Sequence, residues 1–139
     1  MISIVKSTEA DLKLLVDIGR QTFIESHGRS VAAKDISKYV NEKYNDDVFR
    51  EDLSDSKNIY HIIYHAKQAV GYSKIILNVS HSNIREKKVT KLDRLYLLQE
   101  FYGLKSGHTL FKFNLDLSQQ GGQEGMWLFV WKENHRAVI

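Results

Sequence analysis

The sequence predicts an α+β fold, a mixed β-sheet with helices on its faces. Three β-rich runs, at 59–64, 69–77 and 92–98, lie close together in the middle of the chain, and the first two are spaced like the arms of a hairpin. A long amphipathic helix is predicted at 106–119, where two glycines follow its last turn. A strand at 126–131 is apolar on both faces, which predicts a central, covered position in the sheet.

The N-terminal part of the chain is predicted to form a short strand at 2–5 and then helices. Thr8 is a good N-cap, and Asp11, three residues later, is placed to complete a capping box. Two more helices are predicted at 35–43 and 47–53. The apolar stripe that indicates the first helix consists of Leu12, Leu15, Val16, Gly19 and Phe23. With 139 residues, no proline and no linker, we expect a single domain over 1–139.

The composition excludes several classes of protein. The chain has 20 Lys and Arg against 17 Asp and Glu, and its densest basic stretch, 85–88, indicates a solvated loop, so we expect no nucleic-acid partner. No apolar run approaches the roughly 20 residues that span a bilayer, and the N-terminus lacks a secretory pattern, so we expect a cytoplasmic protein without a membrane partner. The absence of cysteine excludes thiol nucleophiles and cysteine-ligated metals. His61 and His65 share a predicted strand, where they are about 13 Å apart, and we predict no metal site.

The junction between the strand at 92–98 and the helix at 106–119 is the strongest candidate for chemistry. Backbone N–H groups converge there at the positive end of a helix, which suits a phosphate group. Gly103 and Gly107 would allow the backbone to approach a ligand closely. Glycine at such a junction also serves turn geometry alone, so this pattern by itself leaves both interpretations open.

With its surroundings, this junction resembles the acetyl-CoA-binding core of the Gcn5-related N-acetyltransferase (GNAT) superfamily. The family pattern is a strand, then Arg/Gln-x-x-Gly-x-Gly/Ala, then a long helix. The matching hexad here is Tyr102-Gly103-Leu104-Lys105-Ser106-Gly107, which departs from the pattern at Tyr102 and Lys105. The resemblance implies that these six residues and His108 hold the pyrophosphate of acetyl-CoA, mainly through backbone amides.

The resemblance extends over nearly the whole chain. Residues 93–98 are similar to the bulged fourth strand of the family, which implies that Tyr96, Leu97 and Leu98 pair with the pantetheine arm. Residues 127–130 are similar to the fifth strand, and Asn134 is similar to an asparagine that contacts coenzyme A. The implied fold is a mostly antiparallel sheet with helices on both faces. The family's last strands and its frequent general acid, a tyrosine, would fall after Ile139, so the chain is expected to lack them.

The activity implied by this resemblance is acetyl transfer from acetyl-CoA to a primary amine, and the likeness is greatest to bacterial enzymes acting on polyamines or other small amines. The backbone N–H of Leu97 or of a neighbouring residue would stabilise the oxyanion, and Asp93 would anchor the ammonium or relay its proton. An ion pair of Asp93 with Lys91 or Arg94 is the alternative. Because the family's tyrosine would fall after Ile139, the general acid is expected to be missing. This favours a second interpretation, a non-catalytic acyl-CoA-binding or regulatory protein.

Two further expectations concern partners. Segment 25–55 carries eight acidic and five basic side chains, which favours a cationic substrate or simply indicates solvated helices. The apolar strand at 126–131 would be an exposed edge without the family's last strands, so we expect a homodimer.

Overall fold

The computed structural model of the protein describes residues 2–27, 32–82, 84–103 and 105–128. These residues form a five-stranded sheet in the order β1-β2-β3-β4-β5, together with four α-helices. The strands are β1 (Ile2–Lys6), β2 (Asn58–His65), β3 (Gln68–Ile76), β4 (Val89–Leu97) and β5 (Gly125–Trp127). The helices are α1 (Leu12–His27), α2 (Ala33–Lys43), α3 (Asp46–Ser54) and α4 (Ser106–Gln120).

The sheet separates two apolar clusters, and helices lie on both of its faces, as expected. Strands β1 to β4 pair in antiparallel fashion and β5 runs parallel to β4. On one face, α1 packs on β3 and β4, α3 packs on β2, and α2 packs against α1; on the other face, α4 packs on β3, β4 and β5. The first cluster is centred on Leu15, Val40, Phe49, Tyr60 and Tyr72, and the second on Ile63, Val70, Leu97 and Leu110.

The capping box predicted from Thr8 and Asp11 is confirmed. The Thr8 Oγ1 accepts a hydrogen bond from the N–H of Ala10 at 3.3 Å, and the Asp11 Oδ2 accepts one from the N–H of Thr8 at 2.9 Å. The box caps a 3₁₀ turn, Glu9–Asp11, which continues directly into α1. The chain therefore enters its first helix where the sequence places the cap.

The central position predicted for the strand at 126–131 is wrong for β5, the part of this strand that the structure describes. β5 pairs only with β4 among the described residues, which places it at an edge of this part of the sheet, and its side chains are half-buried. It pairs with residues 89–91, so β4 also begins before the predicted 92. Apolarity on both faces indicates partial cover and does not distinguish an edge strand from a central one. Positions 129–131 of the predicted strand lie outside the described residues, and the expected homodimer stays a prediction.

His61 is a buried strand residue on the α4 side of β2. Its ring packs edge-on against Phe113 at 4.9 Å between centroids, and its Nδ1 has no hydrogen-bond partner among the described residues. Burial, with a smaller contribution from the charge of Lys6, lowers the pKa of His61 to about 4. The ring is therefore neutral in the folded protein at physiological pH.

This buried ring predicts a loss of stability in mild acid. The unfolded chain takes up a proton on His61 near pH 6.5 and the folded chain only near pH 4, so stability falls with pH between these values, by about 2 kcal/mol from pH 7.5 to 5. Urea unfolding at both pH values checks this. The variant His61→Gln should lack this part of the pH dependence, and His108→Gln, at an exposed position, should keep it. Equal pH slopes in the wild type and His61→Gln would contradict the assignment.

Candidate active site

Among the described residues, no partner is seen for the first backbone N–H groups of α4, which lie beside the end of β4. The first helical hydrogen bond runs from the N–H of Thr109 to the carbonyl of Lys105 at 3.0 Å, so the N–H groups of Ser106, Gly107 and His108 precede the first acceptor of the helix. A Cβ added to Gly107 would lie 3.3 Å from the Leu97 Cδ1. The positive end of α4 and the last residue of β4 are therefore neighbours.

The loop before α4 has the backbone of a glycine-rich turn even where glycine is replaced. Gly103 has φ of 84°, and Lys105, the N-cap of α4, has φ of 62° and ψ of 7°. This left-handed conformation costs a non-glycine residue about 1 kcal/mol. The departure of Lys105 from the family pattern thus changes the side chain and leaves a backbone conformation that glycine would also adopt.

The other residues expected to hold the pyrophosphate differ in how deeply they are buried. Ser106 is only 1% exposed, and its Oγ has no hydrogen-bond partner within the described residues, which leaves a buried polar group at the start of α4. Tyr102 is half-buried against the cluster of Ile63 and Leu97, and His108 is exposed. Leu104 and Asn134 lie outside the described residues.

The second half of β4 has an edge that no described strand covers. The register shifts between Lys74 and Ile75 of β3, which pair with Arg94 and Leu92, so Asp93 is the extra residue of a bulge. β5 pairs only with residues 89–91, and among the described residues nothing pairs with 93–97 on that side.

Among Tyr96, Leu97 and Leu98, Leu97 is the residue whose N–H faces this edge. The N–H of Leu98 donates to the carbonyl of Val70 at 2.8 Å, which directs Leu98 and, by alternation, Tyr96 towards β3. Leu97 lies opposite Gly71 as a non-hydrogen-bonded pair, so its N–H and C=O point away from β3. Of the three residues expected to pair with the pantetheine arm, Leu97 is thus the one whose backbone N–H and C=O are directed towards the uncovered edge of β4.

Asp93 belongs to an ion-pair cluster on the α1 side of β4. Its carboxylate lies 3.2 Å from the Lys91 Nζ, 3.5 Å from the Lys74 Nζ and 3.8 Å from the Arg94 Nε. The largely buried Lys74 also pairs with Asp52 of α3 at 2.7 Å. The alternative role of Asp93, an ion pair with its neighbours, is therefore observed, and the cluster ties the bulge of β4 to β3 and α3.

Four tyrosines lie around the Arg94 guanidinium on this side of the sheet. Burial raises the pKa of Tyr72 and of Tyr96 to about 12, and it raises the pKa values of Tyr44 and Tyr60 still further. Their hydroxyls are therefore protonated at neutral pH and do not act as bases.

Sequence reasoning did not identify the contact between Glu25 and the end of β4. The Glu25 Oε1 accepts a hydrogen bond from the N–H of Gln99 at 2.6 Å across 74 residues of chain. No local pattern around either residue indicates this contact. Two residues further along α1, the His27 ring stacks on Phe23 at 4.3 Å between centroids and approaches Tyr96 edge-on at 6.4 Å.

Residues 2–27, 32–82, 84–103 and 105–128 show neither a membrane-spanning helix nor a metal-binding cluster. None of the helices there combines the length and apolarity that a membrane span requires. In the same ranges, no group of three or more His, Asp or Glu side chains is arranged to hold a metal ion.

The comparisons with known proteins identify the architecture. No protein-family model matches the sequence. An uncharacterised N-acetyltransferase from the region 3′ of pepI in Lactobacillus delbrueckii subsp. lactis is 23% identical over 136 residues, which cover 98% of this chain and 79% of that protein. The PaiA N-acetyltransferase of Thermoplasma acidophilum, solved with coenzyme A, superposes with a TM-score of 0.82 at 19% identity, covering 97% of this chain and 82% of that one.

A second solved structure agrees with this architecture. The aminoglycoside N-acetyltransferase AAC(6′)-Iy in complex with CoA gives a TM-score of 0.72 at 14% identity, covering 96% of this chain and 80% of that one. Both likenesses are below 25% identity and extend along almost the whole chain, so they bear on the fold. The chain therefore has the fold of the Gcn5-related N-acetyltransferases, the mixed and mostly antiparallel sheet that the sequence resemblance implied.

Proposed function

We propose that the protein is an acetyl-CoA-dependent N-acetyltransferase that acetylates a primary amine of a small, polyamine-like molecule or of a peptide. One observation carries the proposal: the N–H of Leu97 faces the edge of β4, and this strand ends against the first turn of α4. An extended arm pairing with β4 would thus lead directly to a phosphate site. The relatives that are N-acetyltransferases, and the two similar structures solved with coenzyme A, support the same activity.

The residues around α4 suit the pyrophosphate of acetyl-CoA. The N–H groups of Ser106, Gly107 and His108 would donate to it at the positive helix end, and the Ser106 Oγ offers a further buried donor. The exposed ammonium of Lys105 adds a positive charge where the family pattern has none. Leu104 and Asn134 keep their proposed roles in coenzyme A binding on the resemblance alone.

The chemistry that this arrangement supports is direct transfer. The neutral amine attacks the thioester carbonyl, a C–N bond forms, and the N–H of Leu97 stabilises the negative charge on oxygen. The C–S bond then breaks and coenzyme A leaves as the thiolate, which takes up the proton that the amine loses, directly or through solvent. Because the strand holds the Leu97 N–H in place before the reaction, little reorganisation is needed as charge develops.

The choice of acceptor rests on the acidic side chains near β4. Asp93 lies on the bulge and retains 22% side-chain exposure despite its ion pairs, so it remains our proposed anchor for the ammonium. Similar structures include an aminoglycoside acetyltransferase from an uncultured soil metagenomic sample in complex with sisomicin, which supports an acceptor that carries amino groups.

Asp93→Asn is expected to weaken the use of the acceptor and leave coenzyme A binding unchanged. Losing one charged contact to the ammonium should raise the acceptor KM, or lower kcat, by about tenfold. Steady-state kinetics and calorimetric titration of coenzyme A measure the two effects separately. Asp116→Asn, at an exposed position of α4, is the control and should change neither. If Asp93→Asn lowers only the melting temperature, Asp93 is solely an ion-pair residue.

The experiment for the function itself is a panel of amines incubated with acetyl-CoA and analysed by mass spectrometry. The panel contains a polyamine, an aminoglycoside, free lysine and a peptide with a free N-terminus. Acetylation of the polyamine or the peptide is the expected result. Binding of coenzyme A without acetylation of any amine would favour the alternative, a non-catalytic acyl-CoA-binding or regulatory protein.

A further inference from the structure

The C-terminal end of α1 holds the chain where β4 ends. The Glu25 Oε1 accepts a hydrogen bond from the N–H of Gln99 at 2.6 Å. Its other oxygen, Oε2, accepts one from the Gln21 Nε2 at 2.9 Å, one helical turn earlier. Both oxygens of the carboxylate are thus engaged, and the side chain is held in one orientation.

Glu25 replaces a cap that the local sequence does not provide. Gln99 begins a 3₁₀ turn, Gln99–Phe101, whose N-cap is Leu98, a residue without a polar side chain to accept from the turn. The Glu25 carboxylate accepts a hydrogen bond from the N–H of Gln99, as the side chain of an N-cap residue would. The first residue of the segment between β4 and α4 is therefore held by a distant helix.

A second contact from α1 lies on the other side of Leu97. The His27 ring, stacked on Phe23, approaches Tyr96 edge-on with 6.4 Å between centroids. Leu98 is bonded to β3 through Val70, and Gln99 to α1 through Glu25. The residues on both sides of Leu97 are fixed, which leaves its outward N–H with a defined direction.

We propose that Glu25 is a positioning residue for acetyl transfer, because its hydrogen bond to the Gln99 N–H fixes the end of β4 and the start of the loop that leads to α4. This inference rests on the proposed function, since it assigns Glu25 a role at the same site. Without the carboxylate, the turn at Gln99 loses its cap, and both the Leu97 N–H and the loop before α4 become less well ordered. Glu25 acts through these backbone groups and does not contact the acceptor in this role.

Three variants test the role of Glu25. Glu25→Ala removes the acceptor, Glu25→Gln keeps an acceptor oxygen without the charge, and Glu42→Ala removes an exposed carboxylate from α2 as the control. Amide hydrogen exchange at Gln99 should become about tenfold faster in Glu25→Ala, the size expected for losing a capping hydrogen bond. The same variant should lower kcat by about tenfold with a smaller change in acceptor KM.

The outcomes separate positioning from simple stabilisation. Glu25→Gln should recover most of the exchange protection and of kcat, and Glu42→Ala should match the wild type. If Glu25→Ala only lowers the melting temperature, with Gln99 exchange and kcat unchanged, the proposal is wrong. If the wild type transfers no acetyl group, the proposed function fails. In that case, the role of Glu25 is decided by hydrogen exchange at Gln99 and by the Kd of coenzyme A. If neither quantity changes in Glu25→Ala, the proposed role of Glu25 is wrong.

Discussion

Gly107→Glu is expected to abolish the binding of coenzyme A. The substitution places a carboxylate in the first turn of α4, beside the N–H groups that are proposed to hold pyrophosphate. The new carboxylate repels the phosphate groups, which the positive helix end would otherwise attract. It also adds bulk where a Cβ alone would lie 3.3 Å from the Leu97 Cδ1. We expect the Kd measured by calorimetry to rise at least about 100-fold, and the thermal stabilisation by coenzyme A to disappear.

Two controls separate the charge from its side effects. Gly107→Ala adds the same Cβ without charge and should keep the Kd within about tenfold of the wild type. Gln119→Glu adds the same charge at an exposed position in the last turn of α4 and should bind coenzyme A normally. Unchanged binding in Gly107→Glu would place the coenzyme elsewhere on the protein.

Gly71→Ala is expected to have the largest effect on folding. Gly71 lies opposite Leu97 in the β3–β4 ladder, and a Cβ there would lie 2.5 Å from both the Leu97 Cδ2 and the Tyr96 carbonyl oxygen. The Leu97 Cδ2 is the end of a side chain and can shift, but the Tyr96 carbonyl belongs to the paired strand and moves only if the ladder opens. We expect the free energy of unfolding to fall by about 3 kcal/mol in urea titrations.

Gly121→Ala is the matched control for this prediction. A Cβ at Gly121 would lie 3.4 Å from the Leu117 carbonyl oxygen, and the residue has φ of −81°, which alanine adopts readily. Its effect should therefore stay within about 1 kcal/mol. If both variants lose equally little stability, the close approach of β3 to the end of β4 is not tight enough to require glycine.

Local patterns were sufficient to predict most of the fold. The capping box of Thr8 and Asp11 and the helix from Ser106 depend on residues within a few positions of one another, and both were placed correctly. The left-handed conformation of Lys105 could not be predicted from its side chain, because the surrounding strand and helix impose it. The sequence alone indicates the backbone conformation that a lysine prefers, and at this position the surrounding strand and helix override that preference.

The contacts that build the site depend on pairing that no local pattern contains. The ion pair of Lys74 with Asp93 requires the register of β3 against a bulged β4. The pair of Lys74 with Asp52 requires α3 to pack on the same face of the sheet. Glu25 meets Gln99 only after α1 packs on the sheet. The sequence therefore predicted Asp93 and Leu97 as candidates, without the neighbours that hold them in place.

The most direct measurement of the central claim, that the edge of β4 and the first turn of α4 form an acetyl-CoA site, is an amide-resolved NMR titration with coenzyme A. The amides of Leu97, Ser106, Gly107 and His108 should show the largest shifts, and those of β1 should stay unchanged. Saturable shifts confined to these positions are the predicted result. Shifts centred on β1 and β2, or no saturable shift at all, would contradict the claim.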